Sequence, residues 1–186
     1  MDNKKLQRQI IRRAKKLKAI HQVEVPRAVS SALNKSAKKV VTPVVREVSK
    51  GAKVPQKHVR KRTFISRASS RKLRAKVSGY VYPIPLISVI KTKTILSKAR
   101  RGTNRRGVRA AGRQYDGAFI NVHRRSGRFQ VFRRKTSRRY PLEVISIDVS
   151  KSFRASLERE APRVMRQDFP KLLLHELKYR TNKYAK

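Results

Sequence analysis

The middle of the chain carries a cluster of arginines whose spacing suits one kind of chemistry, the binding of phosphate. A guanidinium group presents a planar fork of N–H donors that matches two phosphate oxygens at once. Glycines at positions 102, 107 and 112 let the backbone come close to a polyanion. No acidic residue lies within the cluster, so we predict a phosphate-binding segment; a solvated, flexible loop is the alternative. The six arginines are Arg100, Arg101, Arg105, Arg106, Arg109 and Arg113.

A second basic group follows a predicted hairpin and is expected to extend the same phosphate-facing surface. Because the chain has no zinc-finger, helix-turn-helix or RNA-binding sheet motif, any contact with nucleic acid should depend on backbone charge and not on base sequence. The basic residues of this group are Arg133, Arg134, Lys135, Arg138 and Arg139. Four residues near them are predicted to belong to the core: Phe119, Phe129, Tyr140 and Pro141.

Other chemistry lacks the residues that it would need. The chain has no cysteine, its four histidines show no metal-ligand spacing, and its carboxylates are scattered. A nuclease would need clustered carboxylates to hold a divalent metal. Glycines recur every five residues from position 102 to 117, as in a nucleotide-binding P-loop, but no Lys-Ser or Lys-Thr pair follows them. We therefore expect a protein that is not an enzyme, with no catalytic residue, metal or cofactor.

The net charge is the strongest constraint on the partners of this chain. Its 186 residues include 51 Lys and Arg but only 10 Asp and Glu, which gives a formal charge of +41. Positions 48–115 contain twenty basic residues and no acid, whereas positions 141–186 contain ten basic and six acidic residues. So large an excess is usually tolerated beside a polyanion. Nucleic acid is the first choice, and an anionic membrane or a very acidic protein is the second.

The first 22 residues are predicted to form a basic N-terminal helix or extension. Leu6, Ile10, Ala14 and Leu17 recur at helical spacing on one face, and Lys and Arg occupy the other faces. Such a helix binds DNA, RNA, an anionic membrane or an acidic partner, or is simply solvated. The absence of Trp and Phe argues against a membrane partner. The longest uncharged stretch, residues 77–90, is also too short and too proline-rich to span a bilayer.

Residues 23–186 are predicted to form a single α+β domain that opens with helices. The apolar pattern of the first helix falters near Val23, and a second apolar stripe with helical spacing begins at Val29. Pro43 is expected to kink or split this second helix, because a proline inside a helix removes one backbone hydrogen bond. A short third helix is expected to follow Pro55.

The centre of the domain is predicted to be an antiparallel or mixed β-sheet. After residue 70, apolar and polar residues alternate as they do in half-exposed strands. Residues 97–115 have no apolar period and are predicted to form a flexible loop rich in Arg and Gly. The predicted strands are residues 73–77, residues 86–96, a hairpin over residues 117–133 with its turn at residues 124–127, and residues 142–149.

The chain is predicted to end in a long helix. A Ser or Asp near residues 148–152 is suited to cap its N-terminus. Pro162 and Pro170 are expected to break or bend this helix. Helices that precede and follow a run of strands favour an α+β fold in which the helices pack on one sheet.

Several short motifs occur in a fixed order in this sequence. The best defined are Gly117-Ala118-Phe119-Ile120, then Gly127-Arg128 with Val131 and Arg133 after it, then Arg139-Tyr140-Pro141 before a strand and a C-terminal helix. A run of small residues, the segment 73–77, the segment 85–87 and the Arg-rich loop precede them. In order and spacing, these pieces resemble the minor tail protein Z family of long-tailed, lambda-type phages.

This resemblance implies a structural protein of the virion that completes the tail at the head–tail junction. The implied partners are the tail terminator, the tail tube, the connector and genome DNA, and the implied location is the tail or neck, after assembly in the host cytoplasm. We expect a homo-oligomeric ring, sixfold like the tail, whose basic residues hold DNA by non-specific phosphate contacts. A ribosomal-type RNA-binding protein and a DNA-compacting architectural protein are the alternatives, since composition alone suits all three.

Overall fold

The computed structural model of the protein describes residues 3–79, 82–91, 94–95 and 107–185. It confirms the predicted α+β class, with helices at both ends and small antiparallel sheets between them. The helices are α1 (Asn3–Ala19), α2 (Val25–Ala52), α3 (Gln56–Arg60), α4 (Ser150–Gln167) and α5 (Phe169–Ala185). The strands are β1 (Thr63–Ser66), β2 (Lys76–Gly79), β3 (Ile84–Pro85), β4 (Val108–Ala110), β5 (Arg113–Tyr115), β6 (Ala118–Val122), β7 (Phe129–Arg134), β8 (Leu142–Val144) and β9 (Ser146–Ile147).

The described chain divides into two compact units, and both α2 and α4 contribute to each of them. The first unit comprises Met1–Val44, Thr63–Ser78 and Leu157–Lys186, and the second comprises Val45–Arg62 and Gly79–Ser156. Within the described residues, no helix is both long enough and apolar enough to cross a membrane. A domain boundary at residue 22 stays a prediction.

Helices α1 and α2 are joined by a π-helical turn, Ile20–Glu24. This turn lies where the apolar pattern falters near Val23, because a π-turn contains an extra residue and shifts the buried face. Helix α2 then runs unbroken through Pro43. The predicted split at this proline is wrong, because buried Val40 and Val44 on either side hold the helix in place.

The first unit has a core built largely from small residues of α2. Ala28 and Ala32 are fully buried, and Val164 of α4 is buried in the same unit. The Asn34 side chain donates a hydrogen bond to the Ala68 carbonyl oxygen (2.9 Å) and accepts one from the Ala68 N–H (2.8 Å). The Asn34 amide thereby satisfies both the N–H and the carbonyl group of Ala68, which lies in the segment after β1.

Two carboxylates are buried in the first unit and are held by basic side chains. The Arg180 guanidinium lies 3.7 Å from Glu24 and 3.6 Å from Glu176, and the Lys35 Nζ lies 2.5 Å from Glu176. Burial alone would raise the pKa of Glu176, but hydrogen bonds from Lys35 and Ser31 and the charges of Lys35 and Arg180 hold it below its ordinary value. The Arg180–Glu24 pair joins the π-turn to α5, and the Lys35–Glu176 pair joins α2 to α5.

The core of the second unit is a cluster of aliphatic residues beneath short strands. The largest sheet has the order β6-β7-β8, and Ala118, Ile120 and Val131 face the cluster from it. Val108 and Ala110 of β4 and Leu86 complete most of the cluster. The predicted strand over residues 142–149 is divided in two, because β8 pairs with β7 whereas β9 pairs with β3.

Two other strand predictions are wrong in their bounds or their type. Leu86–Val89 forms a 3-10 turn and not a strand, because the Ser88 hydroxyl donates to the Pro85 carbonyl (2.8 Å) while Leu86 enters the core. The strand predicted at residues 73–77 is shifted to β2, because Ser69 and Lys72 bond each other in a turn just before it.

The C-terminal helix is interrupted once. Helix α4 begins at Ser150, whose N–H is accepted by the Asp148 carboxylate (2.8 Å), and it continues through Pro162. The break comes at Asp168, immediately before α5, so that Pro170 lies in the first turn, where a proline costs no hydrogen bond. A break is therefore confirmed just before Pro170, whereas the predicted break at Pro162, which lies on an exposed side of the helix, is wrong.

We predict that Glu176→Gln lowers the free energy of unfolding by about 1–2 kcal/mol at pH 7, because hydrogen bonds to a charged group are lost. The folded-state pKa of Glu176 lies below its ordinary value of 4.5. The carboxylate therefore contributes stability above that pH, and the contribution disappears as the pH falls through the folded-state pKa. Urea unfolding at pH 7 and in steps below pH 4.5 should show the variant approaching the wild type. The exposed Glu158→Gln is the control, and a gap that persists in acid would contradict the account.

Candidate nucleic-acid interface

Part of the predicted Arg-rich loop is an ordered β-hairpin. The N-terminal residues of that loop, including Arg100, Arg101, Arg105 and Arg106, lie outside the described residues. Strands β4 and β5 pair in antiparallel register, with Val108 opposite Tyr115 and Arg109 opposite Gln114. The prediction of a loop is therefore wrong for residues 108–115, because an apolar pattern of only two residues, Val108 and Ala110, was too short to recognise.

The hairpin fixes the direction of its two arginines. Val108 and Ala110 are buried in the core, so the intervening Arg109 points to the opposite face and is exposed. Arg113 is opposite Ala110 at the end of the ladder, where it is exposed and lines a shallow polar cavity with Asp148. Residues 111 and 112 both have positive φ, as a two-residue hairpin turn requires.

Arg133 and Arg134 occupy opposite faces of β7 because consecutive strand residues alternate. The Arg133 guanidinium lies 3.5 Å from the Glu143 carboxylate on the neighbouring β8, and both side chains are largely exposed. The Arg134 guanidinium lies 5.6 Å from the centre of the Phe119 ring, in a cation–π contact. Phe119 is half-buried on this outer face, away from the main core.

Arg138 and Arg139 lie in the connection between β7 and β8, and both are exposed. The Arg139 guanidinium lies 5.9 Å from the ring centre of Tyr140, which is itself 53% exposed. Pro141 is also exposed. Tyr140 and Pro141 are therefore not core residues, because the chain leaves the sheet through bends at this point.

Phe129 is also more exposed than predicted, at 37%. It pairs with Val122, another exposed side chain, at the turn end of the β6–β7 hairpin, beyond the buried Ile120 and Val131. The hairpin and its turn are confirmed: the His123 carbonyl accepts hydrogen bonds from Ser126 (3.2 Å) and Gly127 (2.9 Å). Phe129 is exposed because it lies at the end of its strand, far from the core, and not because its side chain is on the outer face of the sheet.

The tip of this hairpin carries a basic group that sequence reasoning did not select. Three exposed arginines surround the turn in which Gly127 has a positive φ: Arg124, Arg125 and Arg128. The local run Arg-Arg-Ser-Gly-Arg, without an acid, was the available signal. All the described site arginines and this tip belong to the second unit.

Electrostatics around α3 show the same excess of positive charge. Burial lowers the pKa of His58, and the charges of Lys57, Arg62 and Lys61 lower it further. Arg62 has a structural use, because it donates to the carbonyls of Tyr82 (3.1 Å) and Pro83 (3.4 Å). Among the described residues, no three His, Asp or Glu side chains meet in a group that could hold a metal.

Comparison with known proteins identifies the family. The family described as prophage minor tail protein Z (GPZ) matches residues 8–186. The chain belongs to the minor tail protein Z family. It is similar to the tail completion protein of Escherichia phage N15, with 32% identity over 82% of this chain and 83% of that relative. It is also similar to tail completion protein Z of Escherichia phage lambda, with 25% identity over 88% and 90% of the two chains.

The family match confirms the resemblance inferred from the order of motifs between Gly117 and Pro141. No solved structure matches this minor tail protein Z chain. The match includes both groups of predicted site arginines, the hairpin tip and α1 from residue 8 onward. It therefore covers the basic surfaces together with the fold that positions them.

We predict that Gly107→Ala destabilises the hairpin that carries Arg109 and Arg113. Gly107 has φ of 70°, and a Cβ atom there would collide with the Tyr115 carbonyl oxygen. Gly127 has φ of 63° with no atom near a Cβ, so Gly127→Ala is a matched control. Urea unfolding should show a loss of about 1 kcal/mol for the control and at least about 2 kcal/mol for Gly107→Ala. Equal losses would contradict the close packing.

Proposed function

We propose that this chain is a structural protein of the phage virion that completes the tail at the head–tail junction. One observation carries the proposal: the family match spans residues 8–186, and both aligned relatives bear the name tail completion protein. Their names describe assembly and not catalysis, which supports a role that is not enzymatic. The ribosomal-type and DNA-architectural alternatives have no comparable support.

The chain contacts genome DNA through phosphate groups and without sequence preference. The choice between Arg and Lys supports this part of the proposal. Positions 100–139 contain 13 Arg and one Lys, whereas positions 1–99 contain 10 Arg and 17 Lys. Solubility alone does not favour Arg over Lys, but two-point hydrogen bonding to phosphate does. The described arginines of this segment are exposed on short strands, turns and connections around the aliphatic core of the second unit.

Copies of the chain form a closed ring, sixfold like the tail, with basic residues of the second unit facing the DNA. A head-to-tail interface closes into a ring when its rotation is a whole fraction of a turn. In the described part of the second unit, β6 and β8 are the edge strands of the largest sheet and are available for pairing between copies. The partners are the tail terminator, the tail tube and the connector, met in the host cytoplasm and retained in the virion.

The first test is assembly in a phage from which the gene has been deleted. We expect particles with incomplete, non-infectious tails, and recovery when the wild-type chain is supplied in trans. Chemical crosslinking of recovered virions should join the chain to tail or neck proteins. A chain that sediments as a monomer at moderate salt, with no crosslink to a tail or neck protein in virions, would refute the ring and the role.

The second test measures the salt dependence of DNA binding. Replacing Arg109, Arg113, Arg138 and Arg139 by glutamine should reduce the slope of log K against log salt by about 0.9 for each phosphate contact removed. The effect should be equal for unrelated DNA sequences. A control variant with the same loss of charge replaces four exposed residues of α4 and α5: Lys151, Arg154, Arg166 and Lys171. If both variants change the slope equally, these arginines are not the contact surface.

A further inference from the structure

Helix α1 carries an exposed row of apolar side chains. Ile10 is 58% exposed and Leu17 is 66% exposed. Ala14 lies between them, and the spacing of four and three residues places all three on one face of the helix. Every side chain from residue 7 to residue 18 is exposed. Exposed apolar side chains arranged in a row on a helix rich in Lys and Arg indicate a surface that is covered by something else.

The charges beside this row define what can cover it. Asn3–Ala19 contains eight Lys and Arg and no acid. Successive residues lie about 100° apart around a helix, which places Arg13 beside the row on one side and Lys18 beside it on the other. A surface that buries the row must therefore offer an apolar groove with acidic residues on its rim.

We propose that α1 docks its Ile10–Ala14–Leu17 row into an apolar, acid-rimmed groove on another protein of the tail or neck. The mode is that of an amphipathic helix in a groove, with apolar anchors at positions i, i+4 and i+7. The inference rests on the proposed function, because that function supplies the partner. It adds a second contact surface, separate from the arginines that face DNA.

Three other occupants fit these residues less well. DNA phosphates would attract the basic faces but would leave Ile10 and Leu17 exposed to water. A membrane surface favours helices with Trp or Phe on the apolar face, and α1 has neither. A second copy of the chain would bring two positively charged α1 helices together, and it has few acidic residues to form the rim of a groove. At least five of its ten carboxylates are already buried or in ion pairs, among them Glu24, Glu143, Glu160, Asp168 and Glu176.

The first arm of the test compares two full-length variants for binding to purified tails that were assembled without this chain. Ile10→Gln with Leu17→Gln removes the row. Ile11→Gln is the matched control, because Ile11 is 54% exposed but lies about 100° around the helix from Ile10. We expect at least about tenfold weaker binding for the double variant and a change within about twofold for the control. Both variants should match the wild type in helical circular dichroism and in affinity for duplex DNA.

The second arm identifies the occupant without altering the apolar anchors. A photo-crosslinking amino acid placed at Ala14 should react with a tail or neck protein, at an apolar site flanked by Asp or Glu. Reaction with DNA, with lipid or with a second copy overturns the inference, as does equal tail binding by wild type and double variant. Those results leave the proposed function standing if the wild type binds tails. Failure of the wild type to bind tails at all refutes the proposed function, and the inference with it.

Discussion

Repulsion among 51 Lys and Arg is the constraint on which the rest of the structure depends. The fold answers it by placing scarce carboxylates where segments must be held together. Glu24 in the π-turn binds Arg180 of α5, and Glu176 of α5 binds Lys35 of α2. Asp168 accepts a hydrogen bond from Lys39 (2.6 Å) at the break between α4 and α5, and this bond lowers the pKa of Asp168. Most of the remaining positive charge is directed to solvent.

Short apolar runs fix the direction of the site arginines. Val108 and Ala110 are two residues apart and both enter the core, so Arg109 has only the outward face available. The same alternation separates Arg133 from Arg134 on β7, one beside Glu143 and the other above Phe119. The buried aliphatic residues of each strand thereby set where its arginines leave the backbone.

Features encoded locally could be predicted from the sequence. Helical periodicity located α1 and α2, and turn residues located the β6–β7 hairpin, because both signals depend on neighbours in the chain. The division of residues 142–149 into β8 and β9 could not be predicted, since it follows from a change of pairing partner. The exposure of Phe129 and Tyr140 was missed for a related reason: an aromatic residue at the end of a sheet has the same local pattern as one at its centre.

The two basic surfaces differ in side-chain chemistry, and this difference argues for two kinds of partner. The second-unit segment is almost purely Arg, whose fixed fork matches the oxygens of a phosphate. Helix α1 contains five Lys and three Arg beside an apolar row. A lysine acts as a mobile point charge, which suits a rim of carboxylates without fixed geometry. In the proposed arrangement, specificity at α1 comes from burying Ile10 and Leu17, whereas the proposed binding of DNA at the hairpins comes from charge and tolerates any base sequence. Because these residues belong to different units, we expect a change in the apolar row to leave the arginines that we propose for phosphate binding unaltered.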